Sequence, residues 1–161
     1  MPRVLSLLVL LFWLPASGCM LQNTGPTKKL TDAVHEMNKA TRWGQLGAAS
    51  RMVEPAYRSR FAESHRHWGS MVQVADSEVV HMELAGDGET AISLISYQWY
   101  LTRAMTLHQS VVRQRWSAMG GGYGLVSEVV VQGDPRLLEP ASDAPTTVQP
   151  ATTLLGNPRD Y

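Results

Sequence analysis

Carboxylates, tyrosines and histidines are the side chains here that could move protons, and their spacing decides whether they can cooperate. Asp76, Glu78 and Glu83 are candidate bases, and Tyr57, Tyr97 and Tyr100 are candidate donors. An isomerase-type site needs a carboxylate facing a tyrosine or a protonated acid across an apolar pocket, where burial tunes both groups. Asp76 sits beside Ser77 at a break in the hydrophobic pattern, which suits a hydrogen-bonded turn better than a base. None of these residues falls in a catalytic motif, so the sequence assigns no catalytic residue.

The histidines are His35, His65, His67, His81 and His108. His65 and His67 are two apart, a spacing that does not share a helix face, and no Cys or nearby Asp completes a zinc set. No metal site and no cofactor are expected. The plain alternative to a metal for this pair is a helix end with a solvated His. His108 alternates along a strand with Ser110, Val112, Gln114 and Trp116. If that face lines the interior, His108 and Gln114 are polar groups in an apolar pocket, the usual make-up of a ligand site. With Tyr57, Tyr97, Trp99 and Trp116 they form the candidate binding set. There is no Gly-x-Ser-x-Gly elbow and no Walker loop, and Gly120-Gly121-Gly122 reads as a turn.

The single cysteine, Cys19, needs its own account, because an exported chain with one Cys has no disulfide partner. Ahead of it lie Arg3, an apolar run from Val4 to Leu14, Pro15, and the small residues Ala16, Ser17 and Gly18. The run is too short to span a bilayer and has the length of a secretory signal core. Ala16-Ser17-Gly18-Cys19 resembles the lipobox of bacterial lipoproteins. That resemblance implies cleavage after residue 18, a lipid on the Cys19 sulfur, and membrane attachment. Met20 follows the Cys where Asp would signal inner-membrane retention, so the expected address is the outer membrane, facing the periplasm. The precursor has 14 basic and 14 acidic side chains, and losing Arg3 leaves one net negative charge. No strong field recruits nucleic acid.

Residues 19–27 read as a tether. From Lys28 the apolar residues Leu30, Ala33, Val34, Met37 and Thr41 follow a helical period. A second short helix is expected around Trp43 to Val53, on Trp43, Leu46, Ala49, Met52 and Val53. A third, with Pro55 in its first turn, buries Tyr57, Phe61 and His65 or Trp68, and Gly69 stops it. The period then becomes two. Strands are expected over 71–85 (interrupted near Asp76), 90–101, 107–118 and 123–131, with Gly86-Asp87-Gly88 as a hairpin turn. Beyond residue 133 the chain is rich in Pro and Thr and reads as a disordered tail, 134–161.

Helices followed by a meander make an α+β domain over 28–133, with helices packed on an antiparallel sheet. The meander, ending in Trp116, a glycine turn, and Tyr123, Leu125 and Val126, resembles the nuclear transport factor 2-like superfamily, which includes SnoaL-like domains. The resemblance implies a strongly curved, cone-shaped sheet around a pocket. It leaves open isomerase or dehydratase chemistry and simple binding, and a dimer through the sheet. Strand 90–101 is apolar on both faces, with Tyr97, Trp99 and Leu101 on one and Ile92, Leu94 and Tyr100 on the other. One sheet face is therefore expected to meet a second copy or another envelope protein. A small apolar ligand is the remaining partner. The expected function is binding by a lipid-anchored envelope domain; the alternative is an enzyme with an acid–base pair in the cone.

Overall fold

A computed structural model describes residues 25–138. The signal segment, Cys19 and most of the expected tether and tail lie outside the described residues. Helix α1 spans Pro26–Arg42, with proline in the first turn where no N–H is needed. Its stripe of Leu30, Val34 and Met37 is buried, and so is Asn38, which the apolar period did not mark. Two short helices follow, α2 (Leu46–Ser50) and α3 (Arg58–Ser64). The second is shorter than its apolar residues suggested, and Pro55 sits in the turn ahead of the third. The end of α1 meets the end of α3 at a glycine pair. Gly44 and Gly69 both have positive φ (+65° and +78°), and a Cβ on Gly44 would lie 3.1 Å from the Gly69 Cα.

Four antiparallel strands follow in the order of the chain: β1 (Val72–Leu84), β2 (Thr90–Leu101), β3 (Leu107–Met119) and β4 (Gly122–Gly133). The fold is α+β with an open four-stranded sheet. β1 is one strand, and the break near Asp76 is a register shift between Val74 and Asp76. The start of β4 does not remain a bare edge. Leu125 donates its N–H to the Met52 carbonyl and accepts from Glu54, so the chain after α2 extends the ladder.

The helices cover one face of the sheet. Beneath α1 lie Ile95, Tyr97, Trp99, Val112 and Trp116, all at most 1% exposed. The two buried indoles of the sheet each donate their N–H to a serine on a neighbouring strand. Trp99 donates to Ser110 Oγ (3.1 Å) and Trp116 to Ser93 Oγ (2.9 Å). Among the described residues no helix lies over the other face.

The chain does not leave the domain at Gly133. A 3₁₀ turn at Pro135–Leu137 buries Leu137, whose carbonyl accepts from Trp68 Nε1 at 3.0 Å. The first residues of the expected tail are thus packed against the core. The described chain enters and exits at opposite ends of the strands. Gly25 and Pro26 border Gly88 and Gly120 to Gly122, at the two hairpin turns. The exit lies where Gly133 pairs with Ser110.

Candidate functional site

The residues singled out from sequence divide between core and cleft. Tyr97, Trp99, Gln114 and Trp116 are closed to solvent. The face of β3 that was expected to line an open pocket is packed shut by α1. Tyr97 and Trp99 therefore lie on the covered face of the sheet, and the face left free carries Ile92, Leu94 and Tyr100. His108 is at the rim. Its ring stacks on Trp99 (centroids 4.8 Å apart) and its Nδ1 is 3.3 Å from Asp134 Oδ2. Asp134 is held below the usual carboxylate range, chiefly by hydrogen bonds from the Arg136 side chain. Only Tyr57 of the set borders a cleft.

A closed polar network runs through the core. Gln114 Nε2 donates to Asn38 Oδ1 at 3.0 Å, and Asn38 Nδ2 donates back to Gln114 Oε1 at 3.1 Å. Asn38 Oδ1 also accepts from the Tyr97 hydroxyl, and Gln114 Oε1 accepts from Ser93 at 3.0 Å. The second hydrogen of Gln114 Nε2 goes to Glu128 Oε1 at 2.8 Å. Burial pushes the Tyr97 hydroxyl far above its ordinary value, with the Glu128 carboxylate adding to the rise. It is a fixed neutral donor.

Glu128 ends the network. Its side chain is 2% exposed, and its Oε2 has no hydrogen-bond partner; it is the one such buried side-chain atom among the described residues. His65 Nε2 lies 3.5 Å away. The His65 ring is buried, stacked on Phe61 (4.1 Å) and beside Trp68 (4.5 Å). Its Nδ1 is 2.9 Å from the Phe61 carbonyl, so that nitrogen carries the proton and Nε2 presents a lone pair. Burial lowers the His65 pKa, against an upward pull from Glu128. Of the two expectations for His65, the buried stripe of the third helix holds and the solvated helix end does not: the ring is a core residue facing a carboxylate.

The outer side of this pair is a cleft of about 460 Å³ between α3, β4 and the 3₁₀ turn. Tyr57, Arg60, Glu63, Ser64 and Glu128 contribute its polar wall, and Val130 and Leu138 part of its apolar wall. The Tyr57 oxygen accepts the Glu128 backbone N–H at 3.0 Å, and burial raises its hydroxyl pKa. A buried carboxylate, an imidazole lone pair and a neutral phenol therefore stand behind and along one cleft. That arrangement can hold a polar head group or exchange a proton with it. Among the described residues no cluster of His, Cys, Asp and Glu is placed to hold a metal ion.

Comparison with known proteins bears on the fold. No family model matches the chain, and no curated protein matches it. A solution structure of a SEC-C motif containing protein from Rhodopseudomonas palustris aligns with a TM-score of 0.53 at 11% identity, over 62% of this chain and 77% of that one. The intermembrane space region of the chloroplast protein ARC6 aligns over 66% of this chain and 96% of that one, with a TM-score of 0.43 at 9% identity. The first likeness is one of fold alone.

Proposed function

We propose that this is a lipid-anchored protein of the bacterial cell envelope, held at the outer membrane through Cys19, whose domain works by binding a second copy of itself through the uncovered sheet face. The domain is read as a cone of the nuclear transport factor 2-like kind. Helices ahead of an antiparallel meander support that reading, as does the packing of α1 on one face of the sheet.

The observation that carries self-association is the pattern of the outer face. Ile92 is 38% exposed and Val129 46%, and Leu94 and Val111 are half-buried beside them. The register places Glu83, Ile92 and Arg115 in one row across the sheet, and His81, Leu94 and Arg113 in the next. The face is therefore apolar at its centre, acidic along β1 and basic along β3. A two-fold axis parallel to β2 sets Glu83 of each copy against Arg115 of the other, over the Ile92 and Leu94 centre. The test is sedimentation of the full-length protein in detergent. A dimer that Arg115→Glu separates and Glu83→Arg restores in the double variant supports this reading, whereas a monomer at every concentration refutes it. Cys19→Ser should move the protein from the membrane to the soluble fraction.

A second reading is an acid–base enzyme of the isomerase or dehydratase kind, favoured by one observation, the buried Glu128 carboxylate beside His65 and Tyr57. Its test is exchange of the α-hydrogens of cyclohexanone in heavy water, catalysed by the native chain and not by Glu128→Gln.

A further inference from the structure

A buried carboxylate oxygen without a donor costs free energy comparable to a lost charge-assisted hydrogen bond. Glu128 Oε2 is such an oxygen. His65 does not relieve it, since its proton is on Nδ1 and its Nε2 offers a second lone pair at 3.5 Å. Tyr57 is short of a partner in the complementary sense. Its oxygen accepts the Glu128 N–H, and its own hydroxyl proton meets no acceptor among the described residues. An unspent acceptor thus lies behind the cleft wall and an unspent donor on it, on residues already bonded to each other. The rest of the wall includes one cation and one further anion, Arg60 and Glu63, and the apolar Val130, Pro135 and Leu138.

We propose that the cleft between α3 and β4 is a binding site for a small neutral molecule with an apolar body and a head that both donates and accepts a hydrogen bond, as a carboxamide or lactam does. The head donates N–H to Glu128 Oε2 and accepts from the Tyr57 hydroxyl, and the body lies on Val130 and Leu138. A carboxylate head brings a like charge against Glu128. A plain hydrocarbon leaves both protein groups unspent. Oε2 is closed to water, so binding requires the wall beside Tyr57 and Ser64 to part as the head enters. The volume of about 460 Å³ suits a drug-sized or smaller body. This site lies on the helix side of the sheet and does not depend on self-association or on the lipid anchor.

The test is titration of the full-length protein, followed by amide NMR shifts at Ser64, Glu128 and Val129, with three probes. These are cyclohexanecarboxamide, its N,N-dimethyl derivative, and cyclohexanecarboxylate. The carboxamide should bind roughly tenfold more tightly than the dimethyl amide, the worth of about one buried hydrogen bond. The carboxylate should bind most weakly. In Glu128→Gln, which puts an N–H where Oε2 stood, the preference for the carboxamide should vanish. If that variant does not fold, Tyr57→Phe provides the second reading and should weaken the carboxamide by a similar factor. Equal affinity for the two amides, tightest binding of the carboxylate, or no shifts with any probe would overturn the proposal.

Discussion

The carboxamides of Asn38 and Gln114 pair head to head, 76 residues apart in the chain, through two hydrogen bonds of 3.0 and 3.1 Å. The pair ties α1 to the middle of the sheet and orients every other member of the core network. Replacing Asn38 by Ala strands the Tyr97 hydroxyl and one hydrogen of Gln114 in a dry interior. The expected loss is about 2–4 kcal/mol, measured as a shift in the urea midpoint. Gln114→Ala added to Asn38→Ala should cost much less than Gln114→Ala alone, because the partner is already gone.

Stability should fall as the medium is acidified from neutrality. Burial holds His65 below its ordinary value of 6.5, so below that pH the unfolded chain binds a proton that the folded chain refuses. The contribution of His65 is complete above about pH 6.5 and is lost progressively below it. His65→Gln should flatten the dependence of the urea midpoint between pH 7 and pH 5. An unchanged slope would contradict the neutral, buried ring.

The two faces of β2 should respond differently to substitution. Trp99 is fully buried and bonded to Ser110, so Trp99→Ala should cost on the order of 3–5 kcal/mol and unfold the domain rather than merely separate copies. Ile92→Lys, on the uncovered face, should leave the thermal midpoint within a few degrees and abolish sedimentation as a dimer.

Gly133 should tolerate no side chain. Its φ is +85°, and a Cβ there would fall 2.1 Å from the Gln109 carbonyl oxygen. Gly133→Ala is expected to cost on the order of 3 kcal/mol, by strain and by displacing the β3–β4 ladder. Gly25→Ala meets nothing within 4 Å and is the matched control.

The elements were largely legible because their periods are clean. Leu30, Val34 and Met37 mark α1, and residues 90–101 are the whole of β2. The site was not legible, and a single β-bulge explains why. Strict alternation from Tyr123 and Leu125 puts Glu128 on the outer face, with Arg113 and Arg115. A register shift between Arg115 and Trp116 leaves Val126 without a counterpart, and Glu128 turns inward opposite Gln114. No residue pattern in Tyr123 to Val131 announces that shift. His65 was left open between a buried stripe and a solvated end for a related reason. At a helix terminus, exposure depends on what the following chain does, and here Trp68, tied to the Leu137 carbonyl, packs beside the ring.

Gly25 stands at the hairpin end of the sheet, and that position bears on which dimers a membrane permits. Under the anchor proposed at Cys19, the tethered end of the described domain is the hairpin end. Where the strands stand upright on the bilayer, a two-fold axis parallel to β2 is also parallel to the membrane normal. Both copies keep Gly25 on the same side, and both acyl anchors enter one leaflet. A two-fold across the strands would send the anchors in opposite directions, toward two different membranes. Of the two ways to pair the same sheet face, only the one that sets Glu83 against Arg115 lets neighbours in one leaflet find each other by lateral diffusion.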